Sequence, residues 1–176
     1  MSVAHALEAT CDDSREACMA KALSLGFTKV NLWNLDSTIA RTAQTILKAA
    51  NRKPGLTGLI AAQDLPAVMR VVRATDFGFD ELSRELSVAV LALPQVARAC
   101  GTDELVRLGK LVQIFADFTR STPQGIDKVS WRAGLALCGA AIEEEARLMA
   151  LDPDHDAAVM REALSFLIAN MSDLWD

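Results

Sequence analysis

Residues 102–118 read TDELVRLGKLVQIFADF, and this stretch is the strongest indication of the fold class of the chain. Thr102 is a favourable helix N-cap, and Asp103 and Glu104 place negative charge in the first turn, where the helix dipole stabilises it. The apolar residues that follow recur at helical spacing in two stripes, one of Leu105, Leu108, Val112 and Phe115 and one of Leu111, Ile114 and Phe118. A helix that is apolar on two sides is usually central in its fold. The stretch therefore predicts a central helix.

A second long helix is predicted beyond the loop at residues 121–128, which contains Pro123 and Gly125. Its apolar residues again fall at helical spacing, namely Trp131, Leu135, Cys138, Ile142 and Met149. Small residues lie between them, namely Gly134, Gly139, Ala140 and Ala141. Because small residues keep a helix thin, a neighbouring helix can approach it closely. We expect residues 105–118 and 131–149 to form a central pair.

Caps and breakers divide the rest of the chain into further helices. The first helix is expected to end before Gly26, and two others to begin at the N-caps Asp36 and Asp64. Asp80 is predicted to cap another helix. Pro94 begins a short one, because proline is tolerated in the first turn. No alternation of strands with helices is present, so a doubly wound or barrel fold is not supported.

Two segments are less regular. Residues 27–35 have an irregular apolar pattern, which fits an extended connector or a single short strand. A short helical piece is expected at residues 56–62.

The last helix is expected to carry Met160, Leu164, Leu167, Met171 and Leu174. We therefore predict an all-α chain, a compact bundle of about seven or eight helices in a single domain over residues 1–176, with 27–35 as its one segment that could be extended.

Composition and charge exclude several classes of function. The chain has 176 residues, 51% of them hydrophobic, and a formal net charge of −5. An acidic chain is poorly suited to nonspecific nucleic-acid binding, which needs concentrated lysine and arginine. The longest uncharged apolar stretch, residues 133–142, is too short to span a membrane. The N-terminus lacks a secretory signal, and the four cysteines show neither a CxxC pair nor zinc spacing, so a cytoplasmic protein with free thiols is expected.

Residues 46–86 carry a distinctive order of features. A helix ending in LKAA (47–50) is followed by a Pro-Gly turn, the step AAQD (61–64), an apolar helix and the stretch FGFDEL (77–82). This order resembles the small helical domain encoded near nitrogen-fixation genes, which also serves as a leader in precursors of ribosomally made peptide natural products. The resemblance implies a helical binding module within the chain rather than an enzyme. Because helices follow the module where a precursor would carry a short core peptide, a precursor role is not expected.

Three motifs offer candidate chemistry. Residues 152–156, DPDHD, gather three carboxylates and His155, which fits a metal or proton-transfer site or, as we favour, the acidic start of the last helix. Residues 143–145 are three glutamates, and Glu143 with Arg147 forms a helical i,i+4 pair typical of a solvated face. The kinase-like triplet at residues 76–78 lacks every companion motif of a kinase. We expect neither a metal nor a cofactor.

Four aromatic residues are the candidate partner-binding side chains, namely Trp33, Phe77, Phe79 and Trp175. Tryptophan is enriched among the anchors of protein interfaces. The sequence therefore favours a non-enzymatic helical protein-interaction module, such as an adaptor, an assembly factor or a regulator of a partner protein. The alternative is a sensor or carrier of a small molecule or cofactor, with a pocket between helices. An enzyme centred on His155 is a third hypothesis, and a homo-oligomer stays open.

Overall fold

The computed structural model describes residues 3–76 and 79–176, with side chains described for residues 14–76 and 82–176. Nine α-helices and no strand are found in these residues, against the seven or eight helices predicted. The helices are α1 (Val3–Ser24), α2 (Lys29–Trp33), α3 (Leu35–Arg52), α4 (Leu65–Arg73), α5 (Phe79–Leu91), α6 (Leu93–Cys100), α7 (Asp103–Phe118), α8 (Lys128–Leu151) and α9 (Ala158–Ala169). The predicted all-α class is confirmed.

The crossing of α7 and α8 forms the centre of the bundle. A Cβ atom added to Gly109 of α7 would lie 2.6 Å from the amide nitrogen of Glu143 and 2.7 Å from the carbonyl oxygen of Gly139. A Cβ atom added to Gly139 would in turn lie 2.6 Å from the carbonyl oxygen of Gly109. The two backbones therefore touch where two glycines face each other. The predicted central pair is confirmed, as is the small-residue contact at Gly139.

The other helices are arranged around this pair. Helix α1 packs on α7, α3 packs on α6 and α7, and α4 pairs with α5. Helix α9 lies against α8 and also contacts α5. Trp131, Phe115 and Phe118 are the largest fully buried side chains described, and they lie on α7 and α8. In the described residues, none of the helices combines the length and the apolar character that crossing a membrane requires.

Residues 29–33 form helix α2 and Asn34 forms only an isolated bridge, so the expectation of one extended segment over residues 27–35 is wrong. Thr28 is the N-cap of α2, and its hydroxyl oxygen accepts a hydrogen bond from the Asn31 amide at 3.4 Å. The Asn31 side-chain oxygen accepts from the Thr28 amide at 2.7 Å, which completes a capping box. Asn34 then separates α2 from α3. The start of α2 could not be recognised from the sequence, because this capping box has asparagine at the third helical position, where glutamate or glutamine is usual.

Several helix ends also differ from the sequence prediction. Asp36 lies inside the first turn of α3, whose N-cap is Asn34. Residues 56–62 form turns rather than a helix, with an isolated bridge between Thr57 and Ile60, because Gly58 adopts a positive φ of 93° that breaks a helix. The last helix ends at Ala169, and a short 3₁₀ turn, Met171–Asp173, leads the chain back across the bundle.

Candidate functional site

The end of the chain is paired with the junction of α2 and α3. The Asp36 amide donates a hydrogen bond to the Leu174 carbonyl oxygen at 3.1 Å, and the Asp176 amide donates to the Trp33 carbonyl oxygen at 2.9 Å. Asn34 and Trp175 form an isolated antiparallel bridge between these two bonds. We call this pairing of residues 33–36 with residues 174–176 the seam. It brings together two of the four predicted partner-binding residues, Trp33 and Trp175.

Arg15 of α1 connects the seam to the rest of the bundle. Its guanidinium group donates to the Asp176 carboxylate at 2.6 Å and to the Phe118 carbonyl oxygen at 2.8 Å, and it stacks over the Phe118 ring at 3.9 Å. The Asp176 carboxylate also accepts from the Arg120 amide at 2.5 Å. Burial would raise the pKa of Asp176, but hydrogen bonds from Arg15 and from the Arg120 and Ser121 amides outweigh burial and lower it. The seam is therefore held by a charged and largely buried contact.

A cavity of about 440 Å³ opens beside the seam. Helices α5 and α9 provide most of its apolar walls, through Leu86, Val90 and Ile168. Met171 and the Trp175 indole complete the walls from the returning segment. A pocket of this volume is in the range that accepts a small molecule or one large side chain of a partner. We call it the seam cavity.

The polar groups of the seam cavity are few. Ser83 and Ser87 line it from α5, and Ser172 lines it from the 3₁₀ turn. Among the described residues that line it, Asp36 is the charged one, and the amide of Ser37 donates to its carboxylate at 2.6 Å. Burial raises the pKa of Asp36 above its usual value, and the hydrogen bonds from Ser37 and from its own backbone lower it only in part. A half-buried carboxylate therefore faces a mainly apolar space.

The two seam tryptophans are both partly exposed. Trp175 is 54% exposed, and its indole nitrogen donates to the Ser172 carbonyl oxygen at 2.7 Å. Trp33 is 36% exposed, and the Lys29 ammonium group lies 4.3 Å from its ring centre. Phe77 lies outside the residues that the structure describes, and Phe79 begins α5 with a side chain outside the described set. The prediction for these two phenylalanines therefore stays a prediction.

The acidic motif at residues 152–156 lies away from the seam residues and joins α6, α8 and α9. The His155 ring nitrogen Nε2 lies 3.1 Å from the buried Glu145 carboxylate, and Arg98 donates to the His155 carbonyl oxygen at 2.5 Å. The motif does not cap α9, because the N-cap is Ala157 and makes no side-chain hydrogen bond. The favoured interpretation as a helix start is therefore wrong. The described residues contain no group of three His, Cys, Asp or Glu side chains placed to hold a metal ion.

We expect the His155→Ala variant to lose about 1–2 kcal/mol of stability, because the buried Glu145 carboxylate loses its hydrogen-bond partner. His155→Gln should recover part of this loss, since its amide can donate to Glu145. Urea unfolding at pH 7 measures both. We expect no effect of either variant on partner binding. Loss of a catalytic turnover in His155→Ala, with stability intact, would instead support the enzyme hypothesis.

The other candidate groups have structural partners. Glu143 pairs with Arg147 at 2.6 Å, which confirms the predicted i,i+4 pair, and it also accepts from the Gln113 amide group at 2.7 Å. The Cys138 thiol donates to the Ala163 carbonyl oxygen at 3.0 Å, and burial raises its pKa to about 12. A thiol with so high a pKa is a poor nucleophile at neutral pH. Cys138 therefore fits a packing role between α8 and α9.

Sequence reasoning missed Asp36 as a site residue and missed the seam cavity. A partial signal was present in α5, where Ser83 and Ser87 are four residues apart beside Leu86 and Val90. Hydroxyls at that spacing among apolar residues place polar atoms on a largely apolar face. The return of residues 171–176 onto α3 closes the cavity, and no local sequence pattern predicts this return.

Comparison with known protein families, with characterised proteins and with solved structures finds no match to this chain. The resemblance of residues 46–86 to the leader domain family therefore stays a prediction. The described part of this range, residues 46–76 and 79–86, lies in the end of α3, the turns that follow, α4 and most of α5.

Proposed function

We propose that this chain is a non-enzymatic protein-interaction module, an adaptor, assembly factor or regulator, which binds its partner protein at the seam. The observation that carries the proposal is the seam itself, whose paired backbone segments carry two partly exposed tryptophans, Trp33 and Trp175, the second of which also lines the cavity. Tryptophan anchors contribute much of the energy of protein interfaces, especially next to a pocket that a partner can fill. The resemblance at residues 46–86 to a binding domain supports the same class of function.

The geometry suits recognition in two further respects. The indoles are presented by backbone pairing and by the Arg15 contact with Asp176, so little conformational entropy would be lost when a partner binds. Lys29 beside Trp33 and Asp36 inside the cavity supply polar groups that can orient the partner. The free thiols of Cys18, Cys100 and Cys138 fit a cytoplasmic setting, which we include in the proposal.

Replacing Trp175 with alanine is expected to abolish stoichiometric capture of the partner from native lysate at low salt. Trp33→Ala is expected to weaken capture by about tenfold or more, as removal of an interface anchor costs about 2 kcal/mol. Quantitative mass spectrometry of the captured proteins measures both effects. Leu151→Ala is the matched control, because Leu151 is 83% exposed and belongs neither to the seam nor to the cavity lining. Equal capture by all three variants, or no stoichiometric partner for the unmodified protein, would contradict the proposal.

The seam cavity also favours a second candidate function, a carrier or sensor of a small molecule. Its volume of about 440 Å³ and its apolar walls fit an organic ligand of modest size. Native mass spectrometry of the purified protein would then show a retained ligand. The ligand should be absent from Ala169→Phe, in which a large side chain enters the lining of the cavity.

A further inference from the structure

We propose that the seam cavity is a binding site for an organic cation, an ammonium or guanidinium group that contacts Asp36 and carries an apolar body along α5 and α9. The inference rests on the proposed function, because it names the chemistry of the group that enters the same cavity. It goes beyond that function in assigning a ligand class and the residue that selects it. The same chemistry occurs in a free alkylamine and in a lysine or arginine side chain of a partner segment.

The Asp36 carboxylate is bound by uncharged donors. Its hydrogen bonds come from Ser37 and from its own backbone, and all of these donors are neutral and local. Among the described side chains, none of the cationic ones forms an ion pair with Asp36, whereas Asp176, across the seam, has Arg15. A carboxylate offers about four acceptor sites, so several stay open to a donor from outside. An incoming cation would supply the positive charge that the described side chains do not place beside Asp36.

The described surroundings of this carboxylate are mainly apolar. The walls formed by Leu86, Val90 and Ile168 carry no charge, and the lining residues that the structure describes include no lysine, arginine or histidine. An anionic ligand would be repelled by Asp36, and a neutral one would bring no opposite charge to a half-buried carboxylate whose hydrogen-bond donors are all neutral. A metal ion would need further ligands of a kind that the three serine hydroxyls do not supply. An organic cation would pair with the negative charge of Asp36 and would also contact the apolar walls.

The size and lining of the seam cavity fit a cation that carries an apolar body. The cavity holds about 440 Å³, which exceeds what a bare ammonium ion fills and suits a chain of several carbons or one long side chain. The Trp175 ring at the cavity wall adds an aromatic face, and such faces attract cations and alkyl chains. Ser83, Ser87 and Ser172 can accept hydrogen bonds from the N–H groups that do not reach Asp36.

The test uses the indole N–H signals of the full chain, labelled with ¹⁵N, in NMR titrations. The chain has three tryptophans, so Trp175 reports on the cavity while Trp131, which is buried in the core, serves as the internal control. The probes are n-hexylammonium and the isosteric neutral alcohol 1-hexanol. We expect both to shift the Trp175 signal, with the ammonium binding about tenfold more tightly because its hydrogen bonds to a carboxylate are charge-assisted.

The Asp36→Asn variant should bind the two probes with equal affinity, because the amide keeps the shape and loses the charge. Asp173→Asn removes the same charge from the adjacent 3₁₀ turn without changing the cavity lining, and it should keep the tenfold preference. Ala169→Phe should abolish binding of both probes. An acetylated and amidated Leu-Lys dipeptide tests the second source, since its binding would indicate a basic partner segment, and its failure beside a bound hexylammonium would indicate a free amine.

Equal affinity of the two probes for the unmodified protein would overturn the cation assignment. Absence of any Trp175 shift, with spectra that show a folded protein, would overturn the cavity as a ligand site. Neither result bears on the capture experiment with Trp175→Ala, which tests the proposed function separately. If Asp36→Asn does not fold, the comparison of the two probes on the unmodified protein and on Asp173→Asn still decides the inference.

Discussion

Replacing Gly109 with alanine is expected to lower the free energy of unfolding by about 3 kcal/mol or more, or to prevent folding. The added methyl group would lie 2.6 Å from the Glu143 amide nitrogen and 2.7 Å from the Gly139 carbonyl oxygen. Both are backbone atoms, which cannot move aside as a flexible side chain can. The two central helices would have to separate, and this overpacking outweighs the roughly 1 kcal/mol that alanine gains over glycine in helix propensity.

Gly139→Ala should be similarly damaging, since its Cβ would lie 2.6 Å from the Gly109 carbonyl oxygen. Gly134→Ala is the matched control on the same helix, because its Cβ would meet the Phe166 ring at an ordinary 3.5 Å. The control should be neutral or up to about 1 kcal/mol more stable. Urea unfolding followed by circular dichroism measures all three variants. A Gly109→Ala protein as stable as Gly134→Ala would show that α7 and α8 do not meet through their glycines.

Arg15→Met is expected to lower the free energy of unfolding by about 2 kcal/mol at pH 7. The Asp176 carboxylate is only 7% exposed and would lose its cationic partner, which is costly for a largely buried charge. The seam would loosen, and the Trp175 fluorescence should report its altered surroundings. Arg161→Met is the control, because its pair with Asp156 is mostly exposed and contributes little. Equal stability of the two variants would contradict the role of Arg15.

The same contact sets the response to acid. Because the pKa of Asp176 is lowered in the folded protein, its contribution to stability is present above the ordinary value of 3.8 and is lost as the pH falls through the lower, folded value. The loss of stability on acidification should therefore be smaller in Arg15→Met than in the unmodified protein. Urea unfolding between pH 7 and pH 3 measures this difference. An unchanged acid dependence would show that Arg15 does not hold the Asp176 carboxylate.

The central helices could be predicted from sequence because their information is local. Apolar residues at helical spacing predicted α7 and α8, and the small residues of α8 predicted close packing. Gly109, the glycine that α7 contributes to this contact, could not be predicted in the same way, because a single glycine within a helix can have many roles. Its importance depends on which residue of α8 faces it, and that is a property of the tertiary packing.

The functional site could be predicted only in part. Trp33 and Trp175 were selected from the sequence as exposed aromatic residues, and the structure places them on one seam. Their proximity depends on a backbone pairing between residues that are about 140 positions apart in the chain. No helical periodicity predicts such a pairing. Asp36 was interpreted as a helix cap, since an acid near a helix start usually is one. Its position in a cavity follows from where α5, α9 and residues 171–176 meet.

The central claim, that the partner binds at the seam, is tested most directly by site-specific photo-crosslinking in cells. A benzophenone amino acid would replace Trp175 in one strain and the exposed Leu151 in another, so that each position reports only its own contacts. We predict a single crosslinked partner from position 175, which is lost when Trp33 is also changed to alanine, and no crosslink from position 151. A partner crosslinked from position 151 and none from position 175 would contradict the claim.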